Sequence, residues 1–246
     1  MTDRVLNIAA YRFVPLDDLG RLRERLFQQA GDGGLKGTVL LAEEGINLCL
    51  AGPPDAVASW LEMLRSDPRF AGLAVKQSWS ETQPFRRLKV KVKREIIRMN
   101  LPAIRPAAGR APAVDAATLA RWIAQGRCDE GRPVRLLDTR NAFEVDAGAF
   151  DGAVDWRLSR FSDFPAALAA HRDELAGHTI VGYCTGGIRC EKAALVMQQL
   201  GVASVFQLEG GILKYFEETG GRAPGWHGAC FVFDGREALA PSLAPA

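Results

Sequence analysis

The sequence predicts a two-domain α/β protein, in which a mixed α+β domain is followed by a domain built on a parallel sheet. The chain has 246 residues, more than a single domain of about 150 residues requires. Residues 101–113 are rich in Pro, Gly and Ala, a composition typical of a linker. Beyond this stretch strands alternate with helices, which indicates a parallel sheet covered on both faces.

The first predicted domain spans residues 1–100. Leu22 and Leu26 lie at helical spacing after Asp17-Asp18, and we expect these aspartates to cap the helix. The predicted elements are, in order, a strand over residues 5–14, a helix after Asp18, strands over 38–41 and 46–50, a helix from Pro54 and a last strand over 88–97. The order strand–helix–strand–strand–helix–strand is typical of the ferredoxin-like fold.

The second predicted domain spans residues 114–222 and is followed by a short C-terminal extension, residues 223–246. Its helices are predicted over residues 116–124, 164–175 and 191–200, and its strands over 134–137, 179–183 and 204–208. In a parallel sheet of this kind, ligand sites form where the carboxyl ends of strands meet the N-termini of helices. We therefore expect the reactive residues in the loops that follow the strands.

The composition excludes several classes of protein. Of all residues 48% are hydrophobic and 24% charged, and the net charge is +2, which argues against a disordered tail, a collagen-like repeat or a disulfide-dense scaffold. The charge is unevenly divided. Residues 1–110 carry 18 basic and 12 acidic side chains, a net of +6, and the remainder carries a net of −4. This asymmetry indicates contact with nucleic acid or membrane, or arises by chance from two unlike domains.

Five cysteines and the chain's first residues bear on the compartment. No cysteine pair has Cys-x-x-Cys spacing, so we predict no metal site of the zinc-ribbon type. The N-terminus lacks a basic stretch followed by an apolar one, and no run of about 18 apolar residues could span a membrane. We expect a cytoplasmic protein with free thiols and no membrane partner.

The segment from Tyr183 to Lys192 carries the strongest chemical signal. A buried strand is predicted to end at Tyr183, a glycine-containing loop follows, and a helix is predicted to start near Cys190. Successive backbone N–H groups in such a loop, with the helix N-terminus, form an anion-binding site that favours the thiolate of Cys184. We predict Cys184 as the catalytic residue, within an active loop of Thr185, Gly186, Gly187, Ile188, Arg189 and Cys190.

The spacing of this loop narrows the reaction class. Four residues separate Cys184 from Arg189, whereas cysteine phosphatases have five in a loop that encloses a phosphate. The segment resembles the active-site loop of the rhodanese family, whose cysteine carries a persulfide. Asp138 and Arg140 resemble its supporting motif, together with Glu144, Gly152-Ala153-Val154 and residues 208–212. The resemblance implies a rhodanese-like α/β domain over about residues 115–220.

A narrower resemblance covers nearly the whole chain. An N-terminal ferredoxin-like domain, Glu43-Glu44-Gly45-Ile46-Asn47, Leu88–Lys93, the Cys184 loop and residues 228–234 together resemble the bacterial tRNA uridine(34) hydroxylases. That resemblance implies oxygen-dependent conversion of the wobble uridine to 5-hydroxyuridine. It implies tRNA as the partner and dioxygen as a co-substrate, with no cofactor identified in the sequence.

A basic strand supplies a candidate RNA-binding face. Lys89, Lys91 and Lys93 alternate with apolar residues, so the lysines are expected on one face while Leu88, Val90 and Val92 pack inward. With Arg86 and Arg87 they form the predicted RNA-binding set. The alternative is a solvated sheet face that binds nothing.

Several residues and the reactive loop itself allow other interpretations. His171, Asp173 and His227 imitate a two-His, one-carboxylate iron site, but residues two apart on a helix point about 200° apart, so we predict no metal site. Cys190 either resolves an oxidised Cys184 or is a small packing residue. The main alternative to a hydroxylase is a sulfurtransferase acting on a small-molecule or protein thiol. A third alternative is a non-catalytic RNA-binding module.

Overall fold

The computed structural model describes residues 4–246. Contacts divide the chain into two compact units. The first contains the described residues through Arg98 together with Phe233–Arg236, and the second contains Met99–Val232 and Glu237–Ala246. A short piece of the predicted C-terminal extension therefore belongs to the first unit, and the Pro-rich stretch 101–113 belongs to the second.

The first unit is a five-stranded sheet with two helices. Its elements are β1 (Val5–Phe13), α1 (Leu19–Asp32), β2 (Lys36–Ala42), β3 (Gly45–Gly52), α2 (Pro54–Arg65), β4 (Val75–Ser80) and β5 (Leu88–Val92). The strand order is β4-β1-β3-β2-β5. All neighbours are antiparallel except β2 and β5, which are parallel. The predicted ferredoxin-like fold is confirmed.

The predicted position of one strand in this sheet is wrong. The strand over residues 88–97 was expected to complete the ferredoxin-like order, but β4 fills that position beside β1, and β5 is an additional strand on the opposite edge. Edge strands bury little, and the sequence of β4, Val-Lys-Gln-Ser-Trp-Ser, lacks the apolar run that would reveal it. β5 ends at Val92, and Ile96 lies in a loop, where its N–H donates to Glu44 Oε1 at 2.7 Å.

The helices of this unit share one hydrophobic core with the strands. The buried residues of α1 are Leu22, Leu26 and Ala30, and Trp60 of α2 donates its indole N–H to Leu26 O at 3.4 Å. Asp18 precedes α1, but its side chain does not cap the helix as expected. Its carboxylate instead accepts hydrogen bonds from Arg69 at 2.6 and 3.2 Å, which lowers the pKa of Asp18.

The second unit contains the predicted parallel sheet. Its elements are β6 (Ala113–Val114), α3 (Ala116–Gln125), β7 (Val134–Asp138), α4 (Ala142–Val145), β8 (Gly148–Phe150), α5 (Phe164–His171), β9 (Thr179–Tyr183), α6 (Ile188–Gln199), β10 (Val205–Leu208), α7 (Gly211–Glu218), β11 (Trp226–Gly228), β12 (Cys230–Phe231) and β13 (Ala238–Leu239). The sheet order is β6-β10-β9-β7, with every pair parallel. Two antiparallel pairs, β8 with β11 and β12 with β13, lie outside it.

The helices of this unit differ from the predicted ones in their boundaries and in their number. The helix predicted over residues 164–175 is α5 followed by a 3₁₀ turn at Arg172–Leu175. α6 begins at Ile188, three residues before its predicted start. α7 was not predicted, because its eight residues begin at the second of two adjacent glycines, a pair that indicates a turn.

None of the helices described in residues 4–246 combines the length and the apolar character needed to cross a membrane.

Candidate active site

Cys184 lies directly after β9, at the carboxyl end of the parallel sheet, and its side chain is fully buried. The loop after it turns at Gly187, whose φ of +97° is accessible to glycine at little cost. This turn starts α6 at Ile188 and points the Gly187 N–H at the sulfur, 3.1 Å from Cys184 Sγ. The predicted strand–loop–helix geometry therefore holds a backbone donor against the thiol.

The start of α7 fixes the same loop from its other side. Ile212 N–H donates to Cys184 O at 3.0 Å, and Leu213 N–H donates to Thr185 O at 3.1 Å. These two amides belong to the first turn of a helix, where N–H groups have no partner within the helix. A Cβ at Gly211 would lie 2.4 Å from Cys184 O, so only glycine permits this approach.

The surroundings of Cys184 favour its thiolate. Burial opposes the charge and by itself raises the pKa, but several neighbours outweigh it: the Cys190 thiol hydrogen-bonds to the sulfur, the Arg189 guanidinium attracts it, and the N–H groups of Arg189 and Gly187 donate to it. Together they lower the pKa of Cys184 from its ordinary value of 9.0 to about 5. Burial and the adjacent Cys184 raise the pKa of Cys190 well above its ordinary value. The surroundings therefore favour the thiolate on Cys184 and the thiol on Cys190.

Another buried thiol in this unit shows the effect of burial outside the Cys184 loop. Cys230 is also fully buried, and desolvation raises its pKa to about 12. Arg140 and Thr185 act in the opposite direction but do not overcome the burial. Burial alone therefore does not lower the pKa of a cysteine. The hydrogen bonds and the charge supplied by the loop around Cys184 lower it.

Arg189 is held in a buried ion pair with Glu144. Its Nη1 and Nη2 donate to the two carboxylate oxygens of Glu144 at 2.6 and 2.8 Å, and both side chains are almost fully buried. Glu144 is placed by a capping box at the start of α4, in which Asn141 N–H donates to Glu144 Oε1 at 3.0 Å. This pairing raises the pKa of Arg189, so its charge is permanent.

Glu144 is the site residue that the sequence-based candidates missed. The sequence indicates it only as part of the motif that resembles the rhodanese family, although Asn141-Ala142-Phe143-Glu144 has the spacing of a capping box. That spacing places a carboxylate at a helix start. Only the folded chain shows that the same carboxylate reaches Arg189, 45 residues further along.

Asp138 and Arg140, the predicted supporting pair, do not contact the sulfur. Both are fully buried, and Arg140 Nε and Nη2 donate to the Asp138 carboxylate at 2.9 and 2.6 Å. Arg140 also donates to Glu144 O at 3.1 Å and Gly148 O at 2.7 Å. The pair thus ties the end of β7 to the segment that carries Glu144.

Thr139, between these two residues, contacts the Cys184 loop directly. Its N–H and its hydroxyl both donate to Tyr183 O, at 3.0 and 2.9 Å. Its Oγ1 also lies 3.6 Å from Cys190 Sγ. Thr139 therefore fixes both the strand end that carries Cys184 and the thiol beside it.

The predicted RNA-binding residues lie in the other unit. Arg86 and Arg87 precede β5, Lys89 and Lys91 lie on it, and Lys93 follows its end. Val90 is buried, but Val92 is 43% exposed, so the expectation that Val92 packs inward is wrong. The reason is that β5 is an edge strand that stops at Val92, beyond the sheet's core.

The histidines that imitated an iron site have other partners. His171 Nδ1 lies 2.7 Å from Glu174 Oε1, and His227 Nδ1 lies 3.0 Å from Asp151 Oδ1. Within residues 4–246, no three His, Cys, Asp or Glu side chains are grouped so that they could hold a metal ion.

Both units match family models of known protein domains. Residues 5–96 match the family model of the UPF0176 acylphosphatase like domain, and residues 116–218 match that of the rhodanese-like domain. A solved structure from Saccharomyces cerevisiae, Ygr203w, described as a homolog of single-domain rhodanese and Cdc25 phosphatase catalytic domain, is 17% identical. It covers 48% of this chain and 88% of its own, with a TM-score of 0.41.

Full-length relatives are much more similar. The tRNA uridine(34) hydroxylase of Bordetella petrii is 66% identical over 98% of this chain and 95% of its own length. That of Variovorax paradoxus is 65% identical over 98% of this chain and 90% of its own. At this identity and coverage, the chain belongs to the tRNA uridine(34) hydroxylase family.

Proposed function

We propose that this protein hydroxylates uridine 34 of tRNA at C5, using Cys184 as the reactive group. The observation that carries the proposal is the Cys184 loop, in which a buried thiol has a pKa of about 5. Relatives that are 66% and 65% identical over nearly the whole chain are tRNA uridine(34) hydroxylases, which supports the substrate and the reaction.

The proposed role of Cys184 follows from its charge state. With a pKa of about 5, the thiol is almost fully ionised at pH 7 without a separate general base. A thiolate is the form that attacks an electrophile or carries a persulfide sulfur. The N–H groups of Gly187 and Arg189 and the Arg189 guanidinium stabilise negative charge on that sulfur before and after it reacts.

We assign the partners from the same family. The RNA substrate is tRNA, and dioxygen is the proposed co-substrate. The bacterial cytoplasm, where tRNA is modified, is the proposed location. Asp138, Arg140 and Glu144 are positioning residues in this scheme, because they hold Arg189 and the loop and do not meet the sulfur.

A sulfurtransferase is the second candidate, and one observation favours it. Only four residues separate Cys184 from Arg189, and the loop they form directs an amide to the sulfur itself. The same thiolate would accept a sulfane sulfur from a small-molecule donor and pass it to an acceptor thiol.

Nucleoside mass spectrometry of tRNA separates the candidates. Cells that lack the gene are complemented with the wild type, with Cys184→Ser, or with Cys49→Ser, whose cysteine is exposed on β3. We expect 5-hydroxyuridine to return with the wild type and Cys49→Ser and to stay absent with Cys184→Ser. Return with Cys184→Ser would contradict a role for the thiol. An unchanged 5-hydroxyuridine level in the deletion, with sulfur transfer to cyanide in vitro, would establish the sulfurtransferase instead.

A further inference from the structure

A cavity in the first unit gathers charges and rings that the Cys184 loop does not use. It has a volume of about 530 Å³ and lies beside the start of β5. The lining residues that matter chemically are Phe85, Arg86, Arg87, Lys89, Phe233 and Asp234. All of them belong to the first unit, although Phe233 and Asp234 come from the far end of the chain.

The three cations of this cavity are available to a ligand. Arg86 and Arg87 are exposed and Lys89 is half-buried. None of the three forms an ion pair within residues 4–246. Unpaired cations around a concave surface attract and hold phosphate groups.

The carboxylate on the same wall does not cancel these charges. Asp234 accepts hydrogen bonds from Arg236 Nε at 2.8 Å and Nη2 at 2.6 Å, so its charge is neutralised by its own neighbour. Both side chains of this pair are about nine-tenths buried. The lining therefore has a net positive charge.

The C-terminal segment is fastened to this unit and carries an exposed ring. Gly235 N–H donates to Pro84 O at 2.9 Å, and Arg236 Nη1 donates to Ser78 Oγ at 2.7 Å. These bonds hold Phe233 at the cavity, where 62% of its surface remains exposed. Exposure of so large an apolar ring is unfavourable in water, and a stacked planar group would remove it.

Cations that track a backbone and an aromatic ring that stacks a base are the two parts of a single-stranded nucleic-acid site. We propose that this cavity binds a nucleotide of the RNA substrate, with Arg86, Arg87 and Lys89 on its phosphates and Phe233 against its base. Cys184 is not among the residues that line this cavity. The inference rests on the proposed function, because it needs RNA as the substrate.

The phosphate contacts are tested by binding a fluorescently labelled tRNA transcript at several salt concentrations. Arg86→Ala/Arg87→Ala should weaken binding about 10-fold or more and lower the slope of log K against log salt by roughly 0.7 for each lost phosphate contact. Arg21→Ala removes an exposed cation of α1 outside the cavity and serves as the matched control. Wild-type affinity and slope in the double variant would overturn the proposal.

The base contact is tested by three substitutions of Phe233. Phe233→Trp should keep binding, whereas Phe233→Ala and Phe233→Leu should weaken it about 5-fold or more, with the salt slope unchanged. Leucine keeps the apolar volume but cannot stack a base. Wild-type binding by Phe233→Leu, with a loss in Phe233→Ala, would assign Phe233 a packing role and overturn the stacking contact.

The two proposals fail in different ways. If wild-type protein binds tRNA through this cavity but deletion of the gene leaves 5-hydroxyuridine unchanged, the proposed function is wrong and the nucleotide site stands. If hydroxylation depends on Cys184 but the cavity variants bind tRNA like the wild type, the nucleotide site is wrong and the proposed function stands.

Discussion

Two pairs of arginines, one pair in each unit, are used in opposite ways. In the second unit Arg140 and Arg189 are buried, and each is paired with a carboxylate, Asp138 or Glu144. In the first unit Arg86 and Arg87 are exposed at a cavity, outside any of the ion pairs in the described residues. Buried pairs fix the geometry around a reacting atom, whereas unpaired surface cations leave their charge for a partner.

The largest effect should come from breaking the buried pair beside the thiol. Glu144→Gln leaves the Arg189 charge buried with a neutral amide in place of its carboxylate, and removing one partner of a buried pair costs about 3–5 kcal/mol. We expect the free energy of unfolding of this unit to fall by roughly that amount, measured by urea denaturation.

The matched control replaces both partners. In Glu144→Gln/Arg189→Gln no charge is left buried, so part of the lost stability should return. A single variant as stable as the wild type would show that the pair does not organise the loop, and the contrast between the two units would lose its basis.

A smaller effect should follow from changing the neighbouring thiol. Cys190→Ala removes the hydrogen bond to Cys184, so the pKa of Cys184 should rise, and the thiolate should appear at higher pH in ultraviolet absorbance. Cys190→Ser keeps a donor at this position and should stay closer to the wild type. Equal titration of both variants and the wild type would assign Cys190 a packing role.

The smallest effect is expected at an exposed arginine of the second unit. Arg157 pairs with Asp146 and Asp155, but its side chain is 56% exposed. Exposed pairs contribute little, so Arg157→Gln should leave both the unfolding midpoint and the titration of Cys184 unchanged. A loss comparable to that of Glu144→Gln would mean that burial does not decide which pairs matter.

Local patterns in the sequence located the reactive loop but not what surrounds it. Strand, glycines and helix are consecutive around Cys184, so their spacing alone predicted the loop and its Arg189. Glu144 reaches Arg189 from 45 residues away, and such pairing follows from tertiary packing that no periodicity encodes.

The first unit shows the same limit of local patterns. The helices were predicted because apolar residues recur at helical spacing along the sequence, as at Leu22 and Leu26, which are buried. β4 was missed because an edge strand has little apolar alternation. The return of Phe233–Arg236 to this unit is set by bonds to Pro84 and Ser78, which a reading along the chain does not reveal.

The thiolate of Cys184 can be measured directly by ultraviolet absorbance as a function of pH, as the difference between the wild type and Cys184→Ser. Because the neighbours of the sulfur lower its pKa, the thiolate should be present throughout the neutral range and disappear as the pH falls through about 5. In urea-unfolded protein the midpoint should return to the ordinary thiol pKa of about 9.0. A midpoint in the folded protein at or near the unfolded value would contradict a loop built to hold a thiolate.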